Sequence, residues 1–272
     1  MGVAVWFSVF VTYFAFIGRH RLILSPEEEF AMQRRLSGGF HSTLSPGDAV
    51  RHTYRSIRVG GTWFAIASFL MIVVLVLHGP ISPDLSEQMT RVRDSALKWS
   101  VAHWIAAAGL SLHAVAGLVI LTSQSRLTGG WWTTTAWAVI PIAALWTLTT
   151  AVAEATVVSD AARSGNKEVF DAWWAFAEGK ANGFSFLALA VAVIAGNEAQ
   201  RAERAVPAWS AWTAIVAGVV SFTGWALGMW FGMELGSVIW VISSILMSAW
   251  SVWFGLALAR SPVSAMPGVD ER

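Results

Sequence analysis

The chain has 272 residues, of which 56% are apolar and only 13% charged, with a mean hydropathy of +0.57. A soluble domain carries about a quarter charged residues, so this chain has too little polar surface to coat a globule in water, and lipid must cover much of it. The formal net charge of +1 gives no electrostatic reason to expect a nucleic-acid partner, and the absence of cysteine excludes disulfides, thiolate chemistry and cysteine-held zinc or iron–sulfur centres.

The first apolar run, Val3 to Ile17, lacks the basic start and small-residue cleavage site of a signal peptide. It reads as a short first span, residues 1–17. Residues 18–58 form a basic loop with short helices. Ser25-Pro26-Glu27-Glu28 is a capping-box start with proline at the first helical position, and Gly38-Gly39 ends that helix. Ser45-Pro46-Gly47-Asp48 repeats the start signal, and Arg51, Arg55 and Arg58 follow on one helical face. That face either attracts anionic lipid heads or serves only as a topology signal.

A helix needs about 20 apolar residues to span the hydrocarbon, and inside a bilayer its backbone must satisfy itself. Runs near that length occur at 59–79, 99–122, 131–157, 170–195, 208–231 and 235–259, so 59–259 reads as a six-helix unit. Tryptophans collect near the run ends, as at Trp99 and Trp104, Trp131 and Trp132, Trp173 and Trp174, or Trp250 and Trp253. Such a distribution matches an aromatic belt at headgroup level. Residues 80–98 form a loop of balanced charge. The tail 260–272, with Pro262, Pro267 and Gly268, reads as disordered. The expected fold is an all-α polytopic transmembrane helical bundle of about seven spans in a cell membrane. With the N-terminus outside and the C-terminus inside, twelve of the 18 Lys and Arg residues lie in cytoplasmic segments, as the positive-inside rule favours.

Gly224, Gly228, Gly232 and Gly236 recur every four residues, as do Ala175, Gly179 and Gly183. Small residues at that spacing allow close helix approach. The last glycines of the first series serve either packing or the turn between the final spans. A homo-oligomer or contact with other membrane subunits is open on the same grounds.

Ionisable groups within a membrane are costly and each requires a reason. His78, His103, Glu154, Glu178, Lys180, Asn182 and Glu234 all map to the outer half of the expected bundle, and His113 lies deeper. At 100° per residue, Asp171, Trp174, Glu178, Asn182 and Ser185 form one stripe, and Thr147, Thr150 and Glu154 another. Lys180 points away from Glu178 on its helix, which makes Glu154 its expected partner. The pattern suggests an outward-facing polar pocket with His103, Glu154, Glu178, Lys180 and Asn182.

Several uses compete for that pocket. It is a hydrogen-bond network that selects helix partners, or a ligand or cation site with His78, His103, Glu154 and Glu178 as divalent-metal ligands. Proton- or cation-coupled transport and membrane-embedded metal-dependent catalysis are further alternatives. No HExxH, GxSxG or phosphate-cradling glycine loop occurs. Haem would require facing axial ligands, a role open to His78 with His103 if their spans abut; His103 and His113 diverge by about 80° on one helix. His113 stands between Gly109 and Gly117, which leave room for a macrocycle or a neighbouring helix. Retinal is excluded, because the last span carries no lysine.

Trp99-Ser100-Val101-Ala102-His103 opens one span, after Leu77-His78-Gly79-Pro80, and Pro207-Ala208-Trp209-Ser210-Ala211-Trp212 opens another. In these motifs residues 59–259 resemble a group of prokaryotic multipass membrane proteins, a domain-of-unknown-function family with a W-x-x-A-H span start. The resemblance implies a six-helix unit to which the first span and basic loop are added, and supplies no activity. The leading functional reading is a non-catalytic membrane subunit or a small-ligand or cation-binding protein.

Overall fold

Long apolar runs dictate helices, and helices are all that the described residues contain besides turns. The computed structural model describes residues 46–123, 125–177 and 183–260. The expected first span, most of the basic loop, the tail, and Glu178, Gly179, Lys180 and Asn182 lie outside the described residues.

The first described helix, α1 (Pro46–His78), starts at the second proline signal and continues without interruption for 33 residues. The basic face of Arg51, Arg55 and Arg58 and the apolar run after it are therefore one helix, about 50 Å long. Helix α2 (Leu85–Asp94) is a short helix within the loop of balanced charge. Then come α3 (Ala96–Leu121), a 3₁₀ turn at Arg126–Thr128, and α4 (Trp131–Ala153). A π turn at Glu154–Val158 leads from α4 into α5 (Ser159–Ser164), and α6 (Lys167–Ala177) follows. The last elements are α7 (Phe184–Gln200), α8 (Ala208–Trp225) with a second π turn at Ala226–Trp230, and α9 (Glu234–Ala259).

Among the described residues, five helices are long and apolar enough to cross a membrane: Arg51–His78, Ala96–Leu121, Trp131–Ser164, Ala208–Trp230 and Glu234–Ala259. Helix α7 has 17 residues, about 25 Å, shorter than the 170–195 run anticipated for one span.

The outer surface differs from that of a soluble bundle in how many large apolar residues it exposes. Large apolar side chains point outward: Leu97 is 80% exposed, Val76 66% and Trp209 66%. The interior mixes large apolar side chains such as Phe64, Leu110 and Trp137 with small and polar residues, among them Ser68, His103, His113, Glu154, Ser221 and Ser244. Such a surface suits hydrocarbon, where an exposed leucine costs nothing and an exposed glutamate costs several kcal/mol.

With no hydrophobic drive between helices in lipid, close approach must come from shape. A Cβ on Gly61 would stand 2.8 Å from the carbonyl oxygen of Gly255, and one on Gly255 would stand 2.6 Å from that of Gly61, which seats α1 on α9. Gly218 meets the Ala188 carbonyl at 2.7 Å and so joins α8 to α7; Gly183 meets the Ala143 carbonyl at 2.6 Å beside α4. The 224–236 series divides. Gly224 and Gly228 press against the backbone of α9 at Trp240 and Ser237, whereas Gly232 has φ +67° and open space around it, so it serves the turn. Gly109 faces Ala67 and Leu70, and Gly117 faces Ile140 and Pro141, so neighbouring helices occupy the space on both sides of His113.

Candidate functional site

One end of the bundle gathers polar groups from separate helices. α1 ends there at His78, α3 begins there, and α4 reaches it at Glu154. Here Gly79, at φ +70°, turns the chain out of α1, and the His78 Nδ1 donates to the Gly79 carbonyl at 2.7 Å. One turn into α3, the His103 Nδ1 donates to the Trp99 carbonyl at 2.8 Å. A carbonyl can only accept, so each Nδ1 carries the proton and each Nε2 presents a lone pair. Neither Nε2 has a hydrogen-bond partner among the described residues.

The rings of His78, Trp99 and His103 touch one another, with centroids 4.5 Å apart for His78–Trp99, 4.7 Å for Trp99–His103 and 5.1 Å for His78–His103. Two imidazoles in edge contact leave no space for a macrocycle between them, so this pair does not form the haem clamp considered above. Trp99 also donates its Nε1–H to the buried Glu154 Oε2 at 3.0 Å. On its far side it meets Trp174, which stacks on Phe170 at 5.4 Å.

Beneath these rings lies a cavity of about 60 Å³, lined by His78, His103, Glu154, Thr147, Thr150, Phe184, Trp225 and Trp240 among others. That volume is enough for a few waters or a small ion. The indole N–H groups of Trp225 and Trp240 are buried and have no acceptor among the described residues. The π turns at Glu154–Val158 and Ala226–Trp230 both begin beside this cavity. π turns are frequent at functional sites because they displace side chains from the regular helical register.

His113 has a different role. Its Nδ1 donates to the Gly109 carbonyl at 3.1 Å, its Nε2 accepts from the Ser68 hydroxyl at 3.2 Å, and Phe64 meets its ring edge. Both nitrogens are engaged, which makes it a tie between α1 and α3.

Of the residues anticipated for a pocket or metal site, His78, His103 and Glu154 meet at one cavity, and Glu178, Lys180 and Asn182 lie outside the described residues. Among the described residues no group of three metal-ligating side chains stands within reach of one ion. Sequence reasoning missed Trp99, Trp225 and Trp240. Trp99 was legible as the i−4 neighbour of His103 on one helix face, but the other two reach the cavity only through the packing of α8 and α9. It also missed the buried Glu198 at the opposite end, whose Oε1 accepts the backbone N–H groups of Ala205 and Val206 and ties the α7–α8 loop down.

Compared with family models, curated proteins and solved structures, the chain matches none.

Proposed function

We propose that this chain is an integral membrane protein of about seven spans, N-terminus outside and C-terminus inside, that binds a small cation with its waters in the cavity beneath its outer surface. The binding is non-catalytic, as in a membrane subunit or a small-ligand receptor. One observation carries the reading: His78 and His103 each tie Nδ1 to a backbone carbonyl and leave Nε2 unengaged beside one cavity that also holds a carboxylate. A carbonyl on Nδ1 is the usual support of a metal-binding imidazole, because it fixes the tautomer and raises the basicity of Nε2. Imidazole nitrogen suits zinc, nickel and copper better than magnesium or calcium. The Trp225 and Trp240 N–H groups then donate to waters or an anion on the ion. The W-x-x-A-H start has a physical reading in these terms, since Trp99 supplies both the carbonyl that orients His103 and the donor that holds Glu154.

The test is titration of chelator-stripped, detergent-purified protein with Zn²⁺ by calorimetry, with elemental analysis of the untreated protein. Stoichiometric binding that weakens at least tenfold in both His78→Ala and His103→Ala, and stays unchanged in His113→Ala, supports the reading. A wild type that takes no Zn²⁺, or variants that bind as well as it does, would overturn it. The two π turns beside the cavity favour a second reading, cation-coupled transport, because such turns ease helix rearrangement; zinc uptake into proteoliposomes distinguishes carriage from binding.

A further inference from the structure

A second cavity of about 150 Å³ lies on the other side of the His78–Trp99 wall, bounded by the α1–α2 turn, α2 and the first turn of α3. Its polar lining comes from His78, Gln88, Arg91, Ser95 and Lys98. The segment 80–98 is balanced in charge along the sequence but not in space, because none of the described residues that line this cavity is a carboxylate. The acids of the segment stand outside the lining, and Glu87 alone among them pairs with a residue in it, Arg91. The Asp84 side chain caps α2 through the N–H groups of Ser86 and Glu87, Asp94 pairs with Arg93, and Glu87 accepts from Ser82 and Arg91.

What remains is a set of donors. Gln88 is 1% exposed, and its Oε1 accepts the Ser82 backbone N–H at 2.9 Å, which leaves the amide NH₂ as the end it offers. That NH₂ has no partner among the described residues. The Arg91 guanidinium is held in place by Glu87 at 2.6 Å and by the Pro80 carbonyl at 3.4 Å. Lys98 has no partner among the described residues. A cavity of this size that offers an amide donor, the lysine ammonium and the guanidinium of Arg91 is suited to an oxyanion, which accepts hydrogen bonds from all three.

We propose that this cavity binds a phosphate group, held by Lys98, Arg91 and the Gln88 amide. The cavity sits at the ends of the apolar segments Arg51–His78 and Ala96–Leu121, with Trp99 in its wall. That is the level of headgroup phosphates, so a lipid headgroup and free phosphate present the same chemistry to it. The site shares His78 with the cation cavity as a wall, but Lys98, Arg91 and Gln88 line only this one.

Two arms test the proposal on the full chain. In the first, inorganic phosphate is titrated into detergent-purified protein by calorimetry. In the second, protein from nanodiscs of phosphatidylcholine with one-fifth phosphatidylglycerol is examined by native mass spectrometry for retained phosphatidylglycerol. Wild type is expected to bind one phosphate or retain one phosphatidylglycerol. Lys98→Gln should weaken that binding at least tenfold, and Lys98→Arg should restore most of it. Lys98 is solvent-exposed, so these variants leave the bundle intact, and unchanged Zn²⁺ binding by Lys98→Gln would show that the neighbouring cavity is unaffected. Phosphate binding without lipid retention assigns a free anion, and the converse assigns a lipid. If wild type binds in neither arm, or Lys98→Gln equals wild type in both, the proposal fails.

Discussion

The indole N–H of Trp99 donates to the buried carboxylate of Glu154 at 3.0 Å and so ties the start of α3 to the end of α4. The same tryptophan accepts from His103 through its carbonyl and touches His78 with its ring, which makes it the residue around which this end of the bundle is organised.

Trp99→Phe keeps the ring contacts and removes the donor. It should lower stability by about 1–2 kcal/mol, the range for a hydrogen bond to a polar or charged partner. In thermal unfolding in detergent, a cycle with Glu154→Gln should show coupling of at least ~0.5 kcal/mol. Strictly additive losses would mean that the two side chains do not sense one another.

The glycine contacts make a sharper comparison. A Cβ on Gly224 would lie 2.6 Å from the Trp240 nitrogen, whereas one on Gly196 meets nothing closer than Ile215 Cδ1 at 3.8 Å. Gly224→Ala should therefore cost about 1–3 kcal/mol through overpacking against backbone, and Gly196→Ala should be neutral or slightly stabilising because alanine is the better helix former. Equal Tm values for the two variants would contradict the seating of α8 on α9.

Acid should loosen α2 before it affects the bundle. Backbone N–H groups of Glu87 and Ser86 hold the Asp84 carboxyl below its ordinary value, and the Ser82 hydroxyl and Arg91 do the same for Glu87. A carboxyl depressed on folding contributes stability that is present above its ordinary value near 4 and is lost as pH falls through the lowered one. Hydrogen exchange, corrected for intrinsic rates, should show protection at the α2 start at pH 6 and its loss below about pH 4. Asp84→Asn keeps a capping oxygen and should flatten the part of that dependence due to residue 84.

Orientation can be read directly because the chain has no cysteine to remove. With the N-terminus outside, Ser86→Cys should react with a membrane-impermeant maleimide in intact cells, and Glu203→Cys only after permeabilisation. The reverse pattern would invert the arrangement drawn from the positive charges.

Much of the architecture was legible from hydropathy. Three of the apolar runs, 99–122, 208–231 and 235–259, coincide with long helices to within a few residues, and Pro46 begins α1 where the second start signal stands. Helix α2 was not read from the sequence, because it is short and polar and carries no apolar run. Its signal was the cap, with Asp84 followed three residues later by Glu87. At the site, His78, His103 and Glu154 stood out as costly groups, whereas Trp225 and Trp240 did not, because tryptophan at a span end is unremarkable until its neighbours are known.

The sequence by itself determined that these segments are apolar helices, and how far along each helix every polar residue falls, since rise per residue is constant. Only the tertiary structure decided which polar residues meet. Lateral pairing depends on where small residues let two backbones touch, as Gly61 and Gly255 do, and on the rotation each contact imposes; hydropathy carries no information about either.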